Sequence, residues 1–175
     1  MNLSVEILVR RARLLDVAAL PSVERSAAEA FRATAHGWVA DDPVTEIDAY
    51  PPMVFAGSLW VAEAAGEIIG FVSANATPDA LHIAELAVAL PHQRRGAGMR
   101  LMQAAIEAAQ ARGLPAVTLT TFRDVAFNAP FYRKLGFAVL DAPSPRLQAI
   151  LAAEQARGLE NRCAMRLVVW PFPRP

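Results

Sequence analysis

The chain has one cysteine, Cys163. This excludes an intramolecular disulfide, and nothing in the composition points to an oxidising compartment. It also lacks a charge excess, with 17 Lys+Arg against 17 Asp+Glu. No global attraction to nucleic acid or to acidic membranes is therefore expected. No apolar run approaches the ~20 residues needed to span a bilayer. Glu6, Arg10, Arg11, Arg13 and Asp16 interrupt the stretch where a signal peptide needs continuous apolar residues. Repeats and low-complexity tracts are absent. At 175 residues, 54% of them apolar, the chain is long enough for one domain with a sizeable core and too short for two ordinary ones. These features set the expectation of a single domain over residues 1–175, cytoplasmic, with a short proline-rich tail at 170–175.

The most informative stretch is LHIAELAVALPHQRRGAGMRLMQAAIEAAQAR, residues 81–112. It opens as an apolar run interrupted by His82 and Glu85, which reads as a buried strand closed by Pro91. A turn follows with two arginines, Arg94 and Arg95, and two glycines, Gly96 and Gly98. It leads into a helix whose apolar stripe is Leu101, Met102, Ala105, Ile106 and Ala109. Gly113 sits at the C-cap position, and Pro115 prevents continuation.

A strand, a glycine-arginine turn and a helix start together make an anion site. Glycines let successive backbone N–H groups point inward, and the helix start adds unpaired donors. No Gly-Lys-Ser/Thr follows the turn, as a nucleotide triphosphatase requires, and no third glycine stands at dinucleotide-binding spacing. The spacing Gln93-x-x-Gly96-x-Gly98 in this context resembles the pyrophosphate loop of the GNAT superfamily of N-acetyltransferases. A second motif, NAPFYRKLGF from Asn128 to Phe137, resembles that superfamily's N-x-x-x-x-FY-x-x-x-GF helix in a shortened spacing. Both occur in the family order.

Val5 to Arg13 alternates as a first strand, with Asp16 as N-cap of a helix that Pro21 divides into a short turn and a main segment. Asp41-Asp42-Pro43 reads as a turn and Val44 to Tyr50 as a second short helix. Trp38, Tyr50 and Phe55 are candidates to line an acceptor pocket, with ordinary packing as the alternative. Leu59 to Glu63 and Ile68 to Val72 form a hairpin through Ala64-Ala65-Gly66-Glu67. Ala116 to Thr121 is a strand parallel to its predecessor, because a helix crosses between them. The helical run LQAILAAEQARG, ended by Gly158, departs from the plain hairpin common in the superfamily. It could cover the acceptor site, form a homodimer surface or only pack on the sheet. Arg162 to Val169 is the final strand.

The resemblance implies an α/β (α+β) fold of three α/β/α layers, with a central mixed, mostly antiparallel six- to seven-stranded sheet. It implies acetyl-CoA as co-substrate, no metal, and direct acetyl transfer to a primary amine, on a small molecule or a protein, with no nucleic acid or membrane partner. The coenzyme would lie against the strand backbone at Leu86, Ala87 and Val88. Its pyrophosphate would meet the turn at Gln93, Arg94, Arg95, Gly96, Ala97, Gly98 and Met99, with Arg100 as a further phosphate ligand. Asn128 and Phe131 complete the coenzyme contacts, although Asn128 also suits a helix N-cap. Tyr132 is the implied acid for the departing thiolate.

The base is open between Glu85, His82 and an ordered water. Glu85 lies within an apolar run, where an unpaired carboxylate is costly. His82 titrates near neutrality in its ordinary state. Registered on the Gln93 turn, His82 falls where histone-modifying members carry their glutamate, and Glu85 beside the position used by polyamine-acetylating members. His92 reads as a solvated residue at the loop entrance. A coenzyme-binding sensor without transfer activity, and transfer of a longer acyl group, are the alternative readings.

Overall fold

The chain alternates strand and helix periodicity in the order its sequence leads one to expect. The computed structural model describes residues 6–169. Its strands are β1 (Ile7–Arg11), β2 (Leu59–Ala64), β3 (Glu67–Ala76), β4 (Leu81–Val88), β5 (Ala116–Phe122), β6 (Ala138–Val139) and β7 (Arg162–Val168). Its helices are α1 (Leu20–Ala28), α2 (Tyr50–Phe55), α3 (Ala97–Ala111), α4 (Ala129–Lys134) and α5 (Pro145–Ala156). The hydrogen-bonded strand order is β1-β2-β3-β4-β5-β7-β6. The pairs β1–β2, β2–β3, β5–β7 and β6–β7 are antiparallel, and β4–β5 is parallel. The expected mixed, mostly antiparallel sheet is therefore present, with seven strands among the described residues. Val5 and the tail at 170–175 lie outside the described residues.

Two compact units divide the chain. One takes the described residues up to Asn75 together with Ala84–Glu107, and the other takes Ala76–Ile83 together with the residues from Ala108 onward.

In the first unit, Leu20 and Val23 of α1 join Leu59, Val61, Phe71 and Tyr50 in one buried cluster. Tyr50 packs edge-on to Phe71 at 5.6 Å between ring centroids. A buried phenol needs an acceptor, and the Tyr50 hydroxyl donates to Glu24 Oε2 at 2.8 Å. The β2–β3 hairpin closes through Ala65 and Gly66, both at positive φ (50° and 81°), the geometry that matches strand twist. A Cβ on Gly70 would stand 2.9 Å from the Ala87 carbonyl oxygen, so β3 approaches the end of β4 more closely than any other residue type permits.

Several expectations for this unit are corrected. Asp16 is not an N-cap. Arg13 holds that position of a 3₁₀ turn over Leu14–Ala19, and Asp16 reaches back to the Arg13 amide at 2.6 Å. The second short helix starts later and runs to Phe55, because Pro51 and Pro52 fit its first turn better than its interior. Tyr50 is core at 1% exposure, whereas Phe55 is 77% exposed.

In the second unit, β5 and β7 pair along their whole length, from Ala116↔Val168 to Phe122↔Arg162. Val117, Leu119 and Met165 are buried, as is Cys163. The α5 helix begins at Pro145, where a missing amide donor costs nothing, and Ser144 Oγ accepts from the Leu147 amide at 3.5 Å.

The ion cluster Arg10–Asp16–Glu63 ties β1, its following turn and β2 together, with Arg10 bonded to Asp16 at 2.7 Å and to Glu63 at 2.9 Å. The hydrogen bonds from Arg10 hold the Asp16 carboxyl below its ordinary value of 3.8, helped by the Arg13 amide. A depressed carboxylate contributes stability above its unfolded value and loses it as pH falls through the folded one. Asp16→Asn should thus cost about 1–2 kcal/mol at pH 7, seen as a melting temperature lowered by about 4 °C. Its penalty relative to wild type should shrink below about pH 3.8. Melts compared at pH 7 and pH 3 check both.

Candidate functional site

The anion loop lies within the first unit. Pro91 ends β4 in a single 3₁₀ turn, Leu90–His92, and the chain then enters α3 through Arg94 and Gly96. Both have positive φ, 59° and 88°, which folds the backbone into a concave run of amides. Arg94 occupies a region that ordinary residues enter at some cost. A Cβ on Gly96 would meet nothing within 4 Å, so the glycine leaves open space for a ligand at the backbone. None of the amides from Arg94 to Met99 has a hydrogen-bond acceptor among the described residues. The Ala97 side chain is buried, whereas Arg94, Arg95 and Met99 are exposed.

Neighbouring contacts hold the loop. Gln93 Nε2 donates to the Val88 carbonyl at 2.9 Å and lies 3.5 Å from that of Ala27. The Leu90 amide donates to Ser26 Oγ at 3.1 Å. Gln93 thus ties the loop to the end of β4. Arg100, expected to meet phosphate, donates instead to the Ile7 carbonyl at 2.8 Å, which joins α3 to β1. His92 is half-buried rather than solvated.

On β4, Ala87 is buried, and Leu86 and Val88 are half-buried. Glu85 is half-buried too, next to exposed Ala84, so its expected placement in a continuously buried run is corrected. Its charge is felt by the Tyr50 phenol, whose pKa is raised first by burial, then by the Glu24 hydrogen bond and charge, and last by Glu85.

The second unit contains the other candidates. Asn128 occupies the N-cap of α4, but its side chain makes no capping bond, contrary to the expected cap role. Its backbone carbonyl accepts from the Tyr132 amide at 3.1 Å. Tyr132 is buried at 9% exposure, its ring set edge-on to Phe131 at 5.1 Å and Phe137 at 5.8 Å. These contacts fix the ring, and Phe131 is half-buried.

His82 pairs with Thr118 in the two-residue β4–β5 ladder, Leu81↔Val117 and His82↔Thr118. It is 8% exposed, and its pKa falls from 6.5 to about 4, by burial first and then by Arg146, with Glu154 opposing. The expectation that it titrates near neutrality is therefore overturned. The Thr118 hydroxyl lies 3.0 Å from His82 Nδ1 and accepts from Arg146 Nη2 at 3.4 Å. Its own proton has one acceptor among the described residues, His82 Nδ1, so the satisfied arrangement is Arg146→Thr118→His82. This assigns the imidazole hydrogen to Nε2. No buried side-chain nitrogen or oxygen lacks a partner among the described residues, so Nε2, with none, keeps contact with solvent. Thr118 and Arg146 escaped the sequence reading. The signal available was the threonine at every second position of Val117-Thr118-Leu119-Thr120.

A glycine-containing turn between a strand and a long helix, with six amides from Arg94 to Met99 lacking an acceptor among the described residues, is an arrangement suited to an anion. The wider chain identifies the family. It belongs to the acetyltransferase (GNAT) family, whose model matches residues 22–137, more than half of its length. It is similar to N-acetyltransferase family 8 member 3 of Mus musculus, 31% identical over 84 residues that make up 45% of this chain and 37% of that protein. Its likeness to the Rattus norvegicus member 3 is 27% over 108 residues, 58% of this chain and 45% of the relative. The chain thus matches less than half the length of these curated relatives.

Among solved structures, the PaiA N-acetyltransferase of Thermoplasma acidophilum in complex with coenzyme A superposes with a TM-score of 0.74 at 16% identity, covering 94% of this chain and 99% of that one. YncA of Salmonella typhimurium with acetyl-CoA superposes with a TM-score of 0.67 at 19% identity, covering 97% and 98%. At these identities the likeness establishes the fold.

Two outcomes follow. Gly96→Val should abolish coenzyme A binding by calorimetry, since a β-branched residue is excluded from positive φ and would fill the open space. Undiminished affinity would remove the loop from the site. For His82, the unfolded chain takes up a proton below pH 6.5 that the folded chain accepts only near about 4. Stability should therefore fall as pH drops through that window, and His82→Gln should flatten the slope. Denaturant melts at pH 7, 6 and 5 measure it, and an equal slope in both proteins contradicts the buried neutral imidazole.

Proposed function

We propose that the protein transfers an acetyl group from acetyl-CoA directly to a primary amine. The observation that carries this reading is the run of unpaired amides from Arg94 to Met99 around open space at Gly96, in a chain of the acetyltransferase family. When bound, the coenzyme supplies a thioester, whose carbonyl carbon accepts the amine. The loop amides hold its pyrophosphate, with Arg94 and Arg95 adding positive charge outside. β4 offers backbone beyond His82, where its ladder with β5 ends. The amides near Val88 are suited to the pantetheine arm or to the oxygen that gains charge during attack.

The proton inventory assigns the side chains. An alkylamine of pKa ~10.4 costs roughly 4–5 kcal/mol to deprotonate at pH 7. Glu85 receives the amine proton as the C–N bond forms, directly or through one water. His82 is a poor alternative, because its Nδ1 lone pair already accepts from Thr118 and its pKa lies at about 4. Tyr132 donates its phenolic proton to the sulfur as the C–S bond breaks. Asn128, free of a capping bond, is available to the pantetheine amides. The net products are an acetamide, the free thiol and one proton.

Thiol release from acetyl-CoA over a library of amines tests the reading. Coenzyme binding without release for any amine would favour the sensor instead. With a saturating acceptor, Glu85→Gln and Tyr132→Phe should each lower kcat by ~10²-fold, the lower end for general acid–base catalysis, since a thiol leaves with little help. Coenzyme affinity should stay within threefold. Wild-type turnover in either variant would remove that residue from the mechanism.

A further inference from the structure

The strip of polar side chains between β5, β7 and α5 lies wholly in the second unit, and its two ends are unlike. At one end Glu154 is saturated. Its oxygens accept from Arg162 at 2.9 and 3.0 Å and from the Thr120 hydroxyl at 2.6 Å. At the other end Arg146 has no carboxylate. It is half-buried, and its one hydrogen bond among the described residues is the long 3.4 Å contact to Thr118 Oγ1. Two other half-buried arginines fare differently: Arg10 holds two carboxylates and Arg162 one.

Two further observations point to an anion as the partner this guanidinium suits. Arg146 is the second residue of α5, where a cation opposes the helix dipole. Helix stability therefore does not account for it. Beside it stands His82, more than nine-tenths buried, with Nε2–H unpartnered among the described residues and Nδ1 fixed by Thr118. On β7, Arg166 is the register partner of Thr118. Its side chain emerges on the same face, is exposed, and has no ion pair among the described residues. A guanidinium and an imidazole N–H, backed by a second guanidinium, form a donor set with no carboxylate partner among the described residues. That set suits a carboxylate, which takes two planar donors at once.

We infer that Arg146, with His82 and Arg166, binds a carboxylate of the acceptor, so that the substrate class is an amine that also carries a carboxyl group, such as an amino acid. This rests on the proposed acetyl transfer and narrows it. It changes the part given to His82, from a candidate base to a hydrogen-bond donor for specificity.

The test compares amino acids with their carboxamides, together with O-phosphoethanolamine, as acceptors in the thiol-release assay. At least one amino acid should exceed its carboxamide in kcat/KM by tenfold or more. Arg146→Gln should reduce that ratio to below threefold, Arg146→Lys should retain part of it, and the melting temperature of Arg146→Gln should be unchanged or higher. Calorimetry with N-acetyl amino acids in the presence of coenzyme A gives a second readout independent of turnover. Binding by wild type that is lost in Arg146→Gln supports the carboxylate site even if no amine is acetylated, in which case the transfer reading alone fails. Transfer that ignores the carboxyl group, or a preference untouched by Arg146→Gln, overturns the inference and leaves the transfer reading standing. Preference for the phosphoamine, or weakened coenzyme affinity in Arg146→Gln with the ratio intact, assigns the guanidinium to phosphate and also overturns it. If no amine is acetylated, wild-type protein that binds none of the N-acetyl amino acids overturns it as well.

Discussion

The parallel pairing of β4 with β5 is the constraint from which the anion loop follows. Parallel neighbours cannot be joined by a tight turn, so the chain must leave the end of β4, cross over and return. The crossover here is the fifteen-residue helix α3. A helix cannot satisfy its own first amides. Those donors therefore arise at the end of β4, and positive φ at Arg94 and Gly96 extends the same deficit backward into the loop. The site is a product of topology before any side chain is chosen.

Satisfaction of hydrogen bonds divides the remaining polar groups into closed and open sets. Tyr50 and Glu24, or Arg10 with Asp16 and Glu63, are closed, and their effect is to lock neighbouring elements. The Arg94–Met99 amides, the Asn128 side chain and the Arg146 guanidinium are open among the described residues, or nearly so. Unmet donors in a folded protein are costly unless water or a ligand meets them, which is why the open set is the functional one in this reading.

Much of this was legible in the sequence because the signals are local. Glycine and arginine spacing marked the loop, 3.6-residue periodicity marked α3 with its buried Leu101, Met102 and Ala105, and the alternation in Ala116 to Thr121 marked β5. What was missed depends on partners distant in sequence. Arg100 looked like a phosphate ligand because nothing local shows that the Ile7 carbonyl lies 2.8 Å away. His82 looked like a neutral-pH base because its depressed pKa comes from burial and from Arg146, supplied by a helix more than sixty positions on. Asp16 reads as a cap, yet it sits three residues inside the turn and accepts from the amide of Arg13, the N-cap residue; aspartate suits both positions, so composition alone does not separate them.

The division of labour within the Gln93–Met99 segment has a kinetic corollary. In the proposed site the recognition atoms are main-chain amides, whereas the charged groups, Arg94 and Arg95, are exposed side chains without partners among the described residues. Long-range fields act on the encounter of an anion with the surface and are screened by salt, while short hydrogen bonds govern how long it stays. For a ligand held in this way, ionic strength should therefore act on the speed of capture far more than on residence time.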